Sequence, residues 1–274
     1  MAVIIDGKKI SQEILKNLKE TIKKKKLTLK LGVVLVGEDK SSKIFIREKE
    51  KASQKIGIGF ELFKFKARVK QNDLKREIKK IVKRKEIKGI VIQLPLPKKF
   101  NEEEILDLIP LKKDIDVLSS ESLGKFYNGK LEIYPPSISA IDEIFKRYKI
   151  KLKGKNVVVI GQGRLIGKPL SIYLVSKKAT FSMVNKFTRN ISDFTKKAQI
   201  LISGVGKPEM IKGNMIRKGV VAIDFGCSFK NGKLKGDFDF ESVFKKADFL
   251  TPVPGGTGPI TVACLLKNLL KLNL

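Results

Sequence analysis

The sequence predicts an α/β protein in two domains, and three observations carry that prediction. Short β-branched runs alternate with amphipathic stretches of helical period, the pattern of mostly parallel sheets. Between about residues 110 and 136 the alternation gives way to PLKKDIDVLSSESLGKFYNGKLEIYPP, a turn-rich stretch that suits an active-site loop or a domain boundary. Beyond it, NVVVIGQGRLIGKP carries an apolar strand straight into glycines and a helix, the setting of a nucleotide-binding turn. A chain of 274 residues is long enough for two ordinary domains.

In chain order, ISQEILKNLKETIKKK (10–25) places apolar side chains at 10, 14, 15, 18 and 22, a helical stripe. LGVVLVG (31–37) suits a buried strand bounded by glycines. A helix over about 42–56, a strand at FELFKF and a helix at NDLKREIKKIVKR with Asn72 as its N-cap follow. GIVIQLPLP is a strand stopped by prolines. After the polar stretch, SISAIDEIFKRYKI reads as a helix, and ATFSMV, ILISG and VVAIDFG as strands with ISDFTKKA and PEMIKGNMIRKG between them. The apolar helix TVACLLKNLLKL closes the chain and can pack on either half.

Composition excludes several functions. There is no histidine, which removes Ser-His-Asp and Cys-His catalysis and imidazole metal sites, so acid-base chemistry falls to Lys, Tyr, Asp or Glu. Cys227 and Cys264 form no C-x-x-C pair and read as buried thiols in a reducing compartment. No apolar run approaches the roughly 20 residues that span a bilayer, and MAVIIDGKKI lacks a signal peptide's apolar stretch. The expectation is a cytoplasmic protein with no membrane partner. Fifty-eight Lys and Arg against 28 Asp and Glu give a net charge of +30, which raises the possibility of nucleic-acid binding. The lysines are spread along the chain on the polar faces of amphipathic segments, so no dedicated nucleic-acid site is expected.

The turn after VVVI reads Gly161, Gln162, Gly163, Arg164, Leu165, Ile166, Gly167. Its G-x-G-x-x-x-G spacing is one residue longer than the usual fingerprint, and a plain strand-to-helix turn is the alternative. An NAD site usually presents an acid at the end of the next strand to hold the ribose 2′-hydroxyl. That strand ends here in Val184, Asn185, Lys186, Phe187, Thr188 and Arg189, with no acid. With Arg164 in the turn and Lys186 or Arg189 nearby, NADP is favoured, NAD remaining possible.

Lys49 lies four residues after Phe45 on one helix face. An amine beside an aromatic and withdrawn from water has a lowered pKa and can move protons near neutrality. Gln93 sits at the carboxyl end of an apolar strand, where its amide needs partners. Asp114 and Asp116 flank Ile115 and point the same way if that segment is extended. Read singly, Lys49 is one surface lysine among many and the two aspartates are loop acids.

Together these segments change that reading. SSKIFIREKEKASQKIGI, GIVIQLPLP, PLKKDID and TPVPGGTGPIT, in that order, resemble the methylenetetrahydrofolate dehydrogenase/methenyltetrahydrofolate cyclohydrolase family, and VVVIGQGRLIGKP, ILISGVGKPEMIKG and GKLKGDFDF reinforce the likeness. The resemblance implies two α/β domains around a cleft: a folate-binding catalytic domain over 1–136, completed by helix 259–274, and a Rossmann-like NADP-binding domain over 137–258. It implies a homodimer formed through the second domain, tetrahydrofolate derivatives as substrates, and no metal. Lys49 matches the family's catalytic lysine, Gln93 the glutamine supporting it, and Asp116 the aspartate that anchors the pterin. Phe45 stands for the tyrosine that stacks on the folate, and Pro254, Gly255 and Gly256 match a loop lining the cleft. Gly161 and Gly167 fit the dinucleotide turn, and Thr188 matches a threonine near the cofactor; Gln162, Gly163, Arg164 and Lys186 complete the candidate cofactor contacts.

The implied activity is oxidation of 5,10-methylenetetrahydrofolate with NADP, then hydrolysis of the methenyl product to 10-formyltetrahydrofolate, in one-carbon metabolism and purine biosynthesis. The departures from the family pattern bear on it. Phe45 lacks the phenolic hydroxyl, so a dehydrogenase with weak or absent cyclohydrolase activity is the alternative. Val117 replaces a usual glycine, Pro135, Pro136, Ser137 and Ile138 replace proline-cysteine-threonine-proline, Gln162 and Gly163 replace arginine and serine, and Asn185 replaces histidine. More distant readings are a two-domain Rossmann dehydrogenase with another substrate, and a basic nucleic-acid-binding protein on the same scaffold.

Overall fold

The computed structural model describes residues 1–274 apart from the side chain of Lys40. The first half of the chain forms β1 (Val3–Ile4), α1 (Gly7–Lys24), β2 (Lys30–Val36), α2 (Lys40–Lys55), β3 (Gly59–Phe65), α3 (Gln71–Lys83), β4 (Gly89–Ile92), α4 (Glu102–Leu106) and α5 (Ser120–Tyr127). The second half forms α6 (Pro136–Arg147), β5 (Asn156–Ile160), α7 (Gly167–Ser176), β6 (Thr180–Val184), α8 (Ser192–Thr195), β7 (Ile200–Ser203), β8 (Val221–Asp224), β9 (Ser228–Lys230), β10 (Lys233–Lys235), α9 (Phe240–Phe244), β11 (Phe249–Leu250) and α10 (Thr257–Lys271).

The chain divides into two compact units, one of residues 11–136 with 262–274 and the other of residues 1–10 with 137–261. The division falls inside α1 and α10. The sequence boundaries place residues 1–136 together, and the first ten residues depart from that. Val3 and Ile4 pair in parallel with Phe249 and Leu250, and the Ile5 amide donates to the Leu250 carbonyl, so hydrogen bonding ties the N-terminal strand to the unit that holds residues 137–261.

The unit of residues 11–136 and 262–274 holds a three-stranded parallel sheet in the order β3-β2-β4. Central β2 and the short β4 are buried almost throughout, which is why their sequences are unbroken apolar runs. Edge strand β3 is mostly half-exposed. Leu74, Ile78 and Ile81 of α3 pack on the sheet with Val34, Val36, Ile90 and Ile92. The helix starts at Gln71 after Lys70, which supplies no side-chain cap, so Asn72 lies inside the first turn and is not the N-cap. The polar stretch 110–136 is more ordered than a loop. It contains a 3₁₀ turn at Leu111–Lys113 and α5, whose N-terminus is capped by the Ser119 hydroxyl.

The other unit has six parallel strands in the order β1-β11-β8-β7-β5-β6. From β5 the chain crosses to β6 on one side and then to β7 on the other, so the order reverses at β5, and ligands bind at the strand ends of such a point. ISDFTKKA yields the single turn of α8, and PEMIKGNMIRKG yields only a 3₁₀ turn at Gly213–Met215. Between β8 and α9 the chain adds the antiparallel hairpin β9-β10.

Candidate active site

In the catalytic unit, three elements bring the sequence-predicted polar groups together. Lys49 is on α2, one turn after Phe45, and both are half-buried. Gln93 follows β4 with only 7% of its surface exposed. Its backbone amide donates to the Val34 carbonyl, continuing the β2-β4 ladder by one residue. Its side-chain Nε2 donates to the Leu94 carbonyl at 2.8 Å, which turns Oε1 toward Lys49, and Lys49 Nζ donates to that oxygen at 2.8 Å. The sequence alone shows only that this amide needs partners; the fold supplies both.

Asp116 is reached through a tight turn, not an extended segment. Asp114 bridges in parallel to Ile90, and its carboxylate accepts from the backbone amides of Leu118 and Ser119. Asp114 and Asp116 therefore do different work: the first folds the loop, the second acts electrostatically on the amine. Burial pushes the Lys49 amine below the ordinary lysine range, and the Asp116 charge partly opposes that. Burial likewise pushes the Asp116 carboxyl up to about 6, with Lys49 holding it down and Asp114 raising it further. The result is an amine and a carboxyl that both change protonation closer to neutrality than free side chains do.

One residue that sequence reading missed is Asn268, buried in α10 at 3% exposure. Its Nδ2 donates to the carbonyls of Ile115 and Tyr134 at 2.9 and 2.8 Å. A lone amide among the leucines of TVACLLKNLLKL was the available signal, because buried polar groups are bonded to something.

The other unit carries the nucleotide-binding candidates. Gly161 ends β5 at φ +103°, and a Cβ there would come within 2.8 Å of Val205. A Cβ on Gly167 would lie 2.1 Å from the Gly161 carbonyl oxygen, whereas one on Gly163 would meet nothing within 4 Å. The outer glycines thus fold the turn, and the middle one leaves open space above it. After β6, Asn185 Oδ1 accepts from the Phe187 amide and Nδ2 donates to Gln162 Oε1 at 3.1 Å, so this loop is tied to the turn. The Thr188 hydroxyl accepts from the Asn185 amide. Lys186 is exposed, with its ammonium 4.9 Å from the Phe187 ring centre, and no acid lies in 161–168 or 184–191. These residues fit a dinucleotide with its pyrophosphate on a helix N-terminus, and a 2′-phosphate meets no carboxylate.

Pro254, Gly255 and Gly256 belong to the same unit as the turn. A Cβ on Gly7 would lie 1.7 Å from the Gly256 carbonyl oxygen, so the start of α1 and this loop meet backbone to backbone. Among the described residues no group of three or more Cys, Asp or Glu side chains could hold a metal ion, and no helix is long and apolar enough to cross a membrane.

Comparison with known proteins shows the family to which both units belong. The family profile described as tetrahydrofolate dehydrogenase/cyclohydrolase, catalytic domain, matches residues 5–116, and that of the NAD(P)-binding domain matches residues 135–273. A "Bifunctional protein FolD" from Hydrogenobaculum sp. (strain Y04AAS1) is 42% identical over 270 residues, covering 98% of this chain and 97% of the relative. The crystal structure of the bifunctional FolD enzyme from Campylobacter jejuni superposes with a TM-score of 0.93 at 33% identity, covering 99% of this chain and 98% of that one. The Trypanosoma brucei enzyme, solved with NADP and an inhibitor, gives a TM-score of 0.93 at 32% identity over 99% and 97% of the two chains. The buried amine, the glycine turn and the full-length likeness converge: the chain belongs to the tetrahydrofolate dehydrogenase/cyclohydrolase family.

Proposed function

We propose that Lys49, Gln93 and Asp116 carry the hydrolytic half of a bifunctional enzyme that oxidises 5,10-methylenetetrahydrofolate with NADP and hydrolyses the resulting methenyl cation to 10-formyltetrahydrofolate. The observation that carries the assignment is the 2.8 Å hydrogen bond from a desolvated Lys49 amine to Gln93, with Asp116 acting on the same amine.

NADP, when bound, accepts the hydride, and that step needs no protein base. Gly161, Gly163 and Gly167 shape its turn, and Gln162, Arg164, Lys186 and Thr188 line its rim. Hydrolysis does need proton transfers. In its neutral form Lys49 takes a proton from water as oxygen bonds to the methenyl carbon. The adduct's hydroxyl proton then leaves as the carbonyl forms, the bond from carbon to N5 breaks, and N5 gains a proton from the lysine. The net release is one proton. Gln93 holds the amine in place, and Asp116 accepts hydrogen bonds from the pterin so that the reacting carbon faces Lys49. Phe45 supplies a ring for the folate to stack on, and Pro254, Gly255 and Gly256 supply a loop beside the substrates.

The same proposal includes a homodimer, supported by the open outer edge of β6, the last strand of its sheet, and checked by sedimentation velocity. It includes a cytoplasmic location, in keeping with two free cysteines. A single absorbance assay tests the function. With methylenetetrahydrofolate and NADP, methenyl absorbance should appear, and added methenyltetrahydrofolate should decay faster with protein than without it. A protein that does neither refutes the reading.

Phe45 favours the alternative of a dehydrogenase with weak hydrolysis. Phe45→Tyr restores a hydroxyl on α2 one turn before the lysine, and methenyl hydrolysis should rise about three- to tenfold while hydride transfer stays within twofold. An unchanged hydrolysis rate would show that this hydroxyl has no part in the reaction.

A further inference from the structure

We propose that Asn268 of the C-terminal helix is a positioning residue that sets where Asp116 stands relative to Lys49. The inference rests on the roles given above to Lys49 and Asp116. Both amide hydrogens of Asn268 are committed, one to the carbonyl of Ile115 and the other to that of Tyr134. Ile115 immediately precedes Asp116, so the first bond clamps the peptide that carries the carboxylate.

A second, independent observation marks the same spot. A Cβ built on Gly89 would fall 2.6 Å from a Leu269 methyl and 2.8 Å from an Ile115 methyl. The start of β4, the Asp116 loop and α10 therefore meet without slack. The loop is anchored by Lys113 Nζ on the Val82 and Arg84 carbonyls, by the Asp114 bridge to Ile90, by the Asp114 carboxylate on the Leu118 and Ser119 amides, and by Asn268. Of these, the Asn268 bond is the one made to the Ile115 peptide itself, so α10 contributes to the site without touching substrate. Removing the amide leaves two carbonyls without their donor in a buried place, and the loop must move to rehydrate them.

The charged groups that bear on Asp116 are Lys49 from α2 and Asp114 from its own loop. Gln93 and Asn268 are neutral. If the carboxylate drifts away from the amine, the ammonium form loses its partner and Lys49 titrates at a lower pH. The rising limb of the pH profile for hydrolysis should then move to lower pH, as it should in Asp116→Asn.

The test is a double-mutant cycle on the full chain with Asn268→Leu and Asp116→Asn, read as the pH profile of methenyl hydrolysis, the folate KM and NADP affinity by calorimetry. Asn268→Leu should move the limb to lower pH and raise the folate KM at least about threefold, with NADP affinity within about twofold of wild type. Added to Asp116→Asn, it should move the limb no further. Should the leucine variant not fold, Asn268→Ser, which keeps one donor, is read in the same way and should show a smaller shift. A wild-type profile and KM in a folded Asn268 variant, or fully additive shifts in the double variant, overturns the inference alone. If Asp116→Asn itself moves neither limb nor KM, the role given to Asp116 falls and this inference with it.

Discussion

The two halves of the molecule prepare their sites by opposite means. Around Lys49 the sequence places charged side chains where water is scarce, and the fold controls their proton affinities. Around Gly161 and Gly167 it removes side chains, and the fold controls the path of the backbone. The first is a site built from electrostatics and should respond to pH and to neutral replacements. The second is built from shape, and should respond to a single methyl group.

The largest expected effect tests the first half of that contrast. Lys49→Ala takes away the one amine bonded to Gln93, and methenyl hydrolysis should fall by roughly 10²–10⁴-fold, the usual worth of a general acid-base group. NADP affinity, measured by calorimetry, should stay within about twofold, because every residue assigned to the turn lies in the other unit. Undiminished hydrolysis removes Lys49 from the mechanism.

Gly167→Ala is the counterpart. Its methyl group would sit 2.1 Å from the Gly161 carbonyl oxygen, so the turn must open. NADP affinity should drop at least about tenfold, with a stability cost of about 1–3 kcal/mol in thermal or urea unfolding. Gly163→Ala points into open space and should change stability by under about 0.5 kcal/mol. Equal losses in the two variants would mean that the turn is not shaped by contact. Methenyl hydrolysis, which uses no dinucleotide, should survive both.

The pH dependence separates the halves more finely. Asp116 titrates near 6. Above that pH it is charged, raises the Lys49 pKa and can accept hydrogen bonds from the pterin. Below it the carboxyl is neutral, no longer raises the Lys49 pKa, and accepts from the pterin more weakly and through fewer positions. The folate KM should therefore rise as pH falls through about 6 in the wild type, and stay flat there in Asp116→Asn. In the variant Lys49 loses the charge that raised its pKa, so hydrolysis by the neutral amine should gain its rising limb at lower pH. NADP affinity can change near pH 6 through the ligand's own 2′-phosphate, whose second pKa is about 6, but no carboxylate lies in the turn or the loop after β6, so its pH profile should be the same in wild type and Asp116→Asn. A break in NADP affinity that Asp116→Asn abolishes would erase the contrast.

What the sequence disclosed follows the same division. Buried strands such as LGVVLVG and VVVI are legible because an unbroken apolar run has one comfortable environment, the middle of a parallel sheet. The glycine turn is legible because its conformational demands are local. The pairing of β1 with β11 is not, since two residues at one end of the chain carry no sign of a partner 246 positions away (249 − 3). The β9-β10 hairpin had a signal that went unused: Asn231 and Gly232 both adopt positive φ between strands of three residues, as Asn-Gly does in a two-residue hairpin loop. The polar site is the least local feature. Lys49, Gln93 and Asp116 are each unremarkable in their own neighbourhoods, and only long-range folding makes the amine dry and the carboxyl basic.

Val117 offers the smallest and sharpest test, because here electrostatic and shape control share one residue. It stands next to Asp116 where the family usually has glycine, and it adopts φ +58° while fully buried. A β-branched residue in that region costs about 1–2 kcal/mol, which explains the preference for glycine. Burying the valine side chain returns about 1.5–3 kcal/mol, enough to hold the strained backbone in place. Val117→Gly therefore exchanges strain for lost burial and added chain freedom. The expected outcome is a destabilisation of only about 0–2 kcal/mol in urea unfolding, with a small increase in folate KM as the Asp116 loop loosens. A loss above about 3 kcal/mol would mean that the left-handed conformation is not strained here. A clear gain in stability would mean that the valine contributes nothing by packing, and that the loop is held by its hydrogen bonds through Lys113, Asp114 and Asn268.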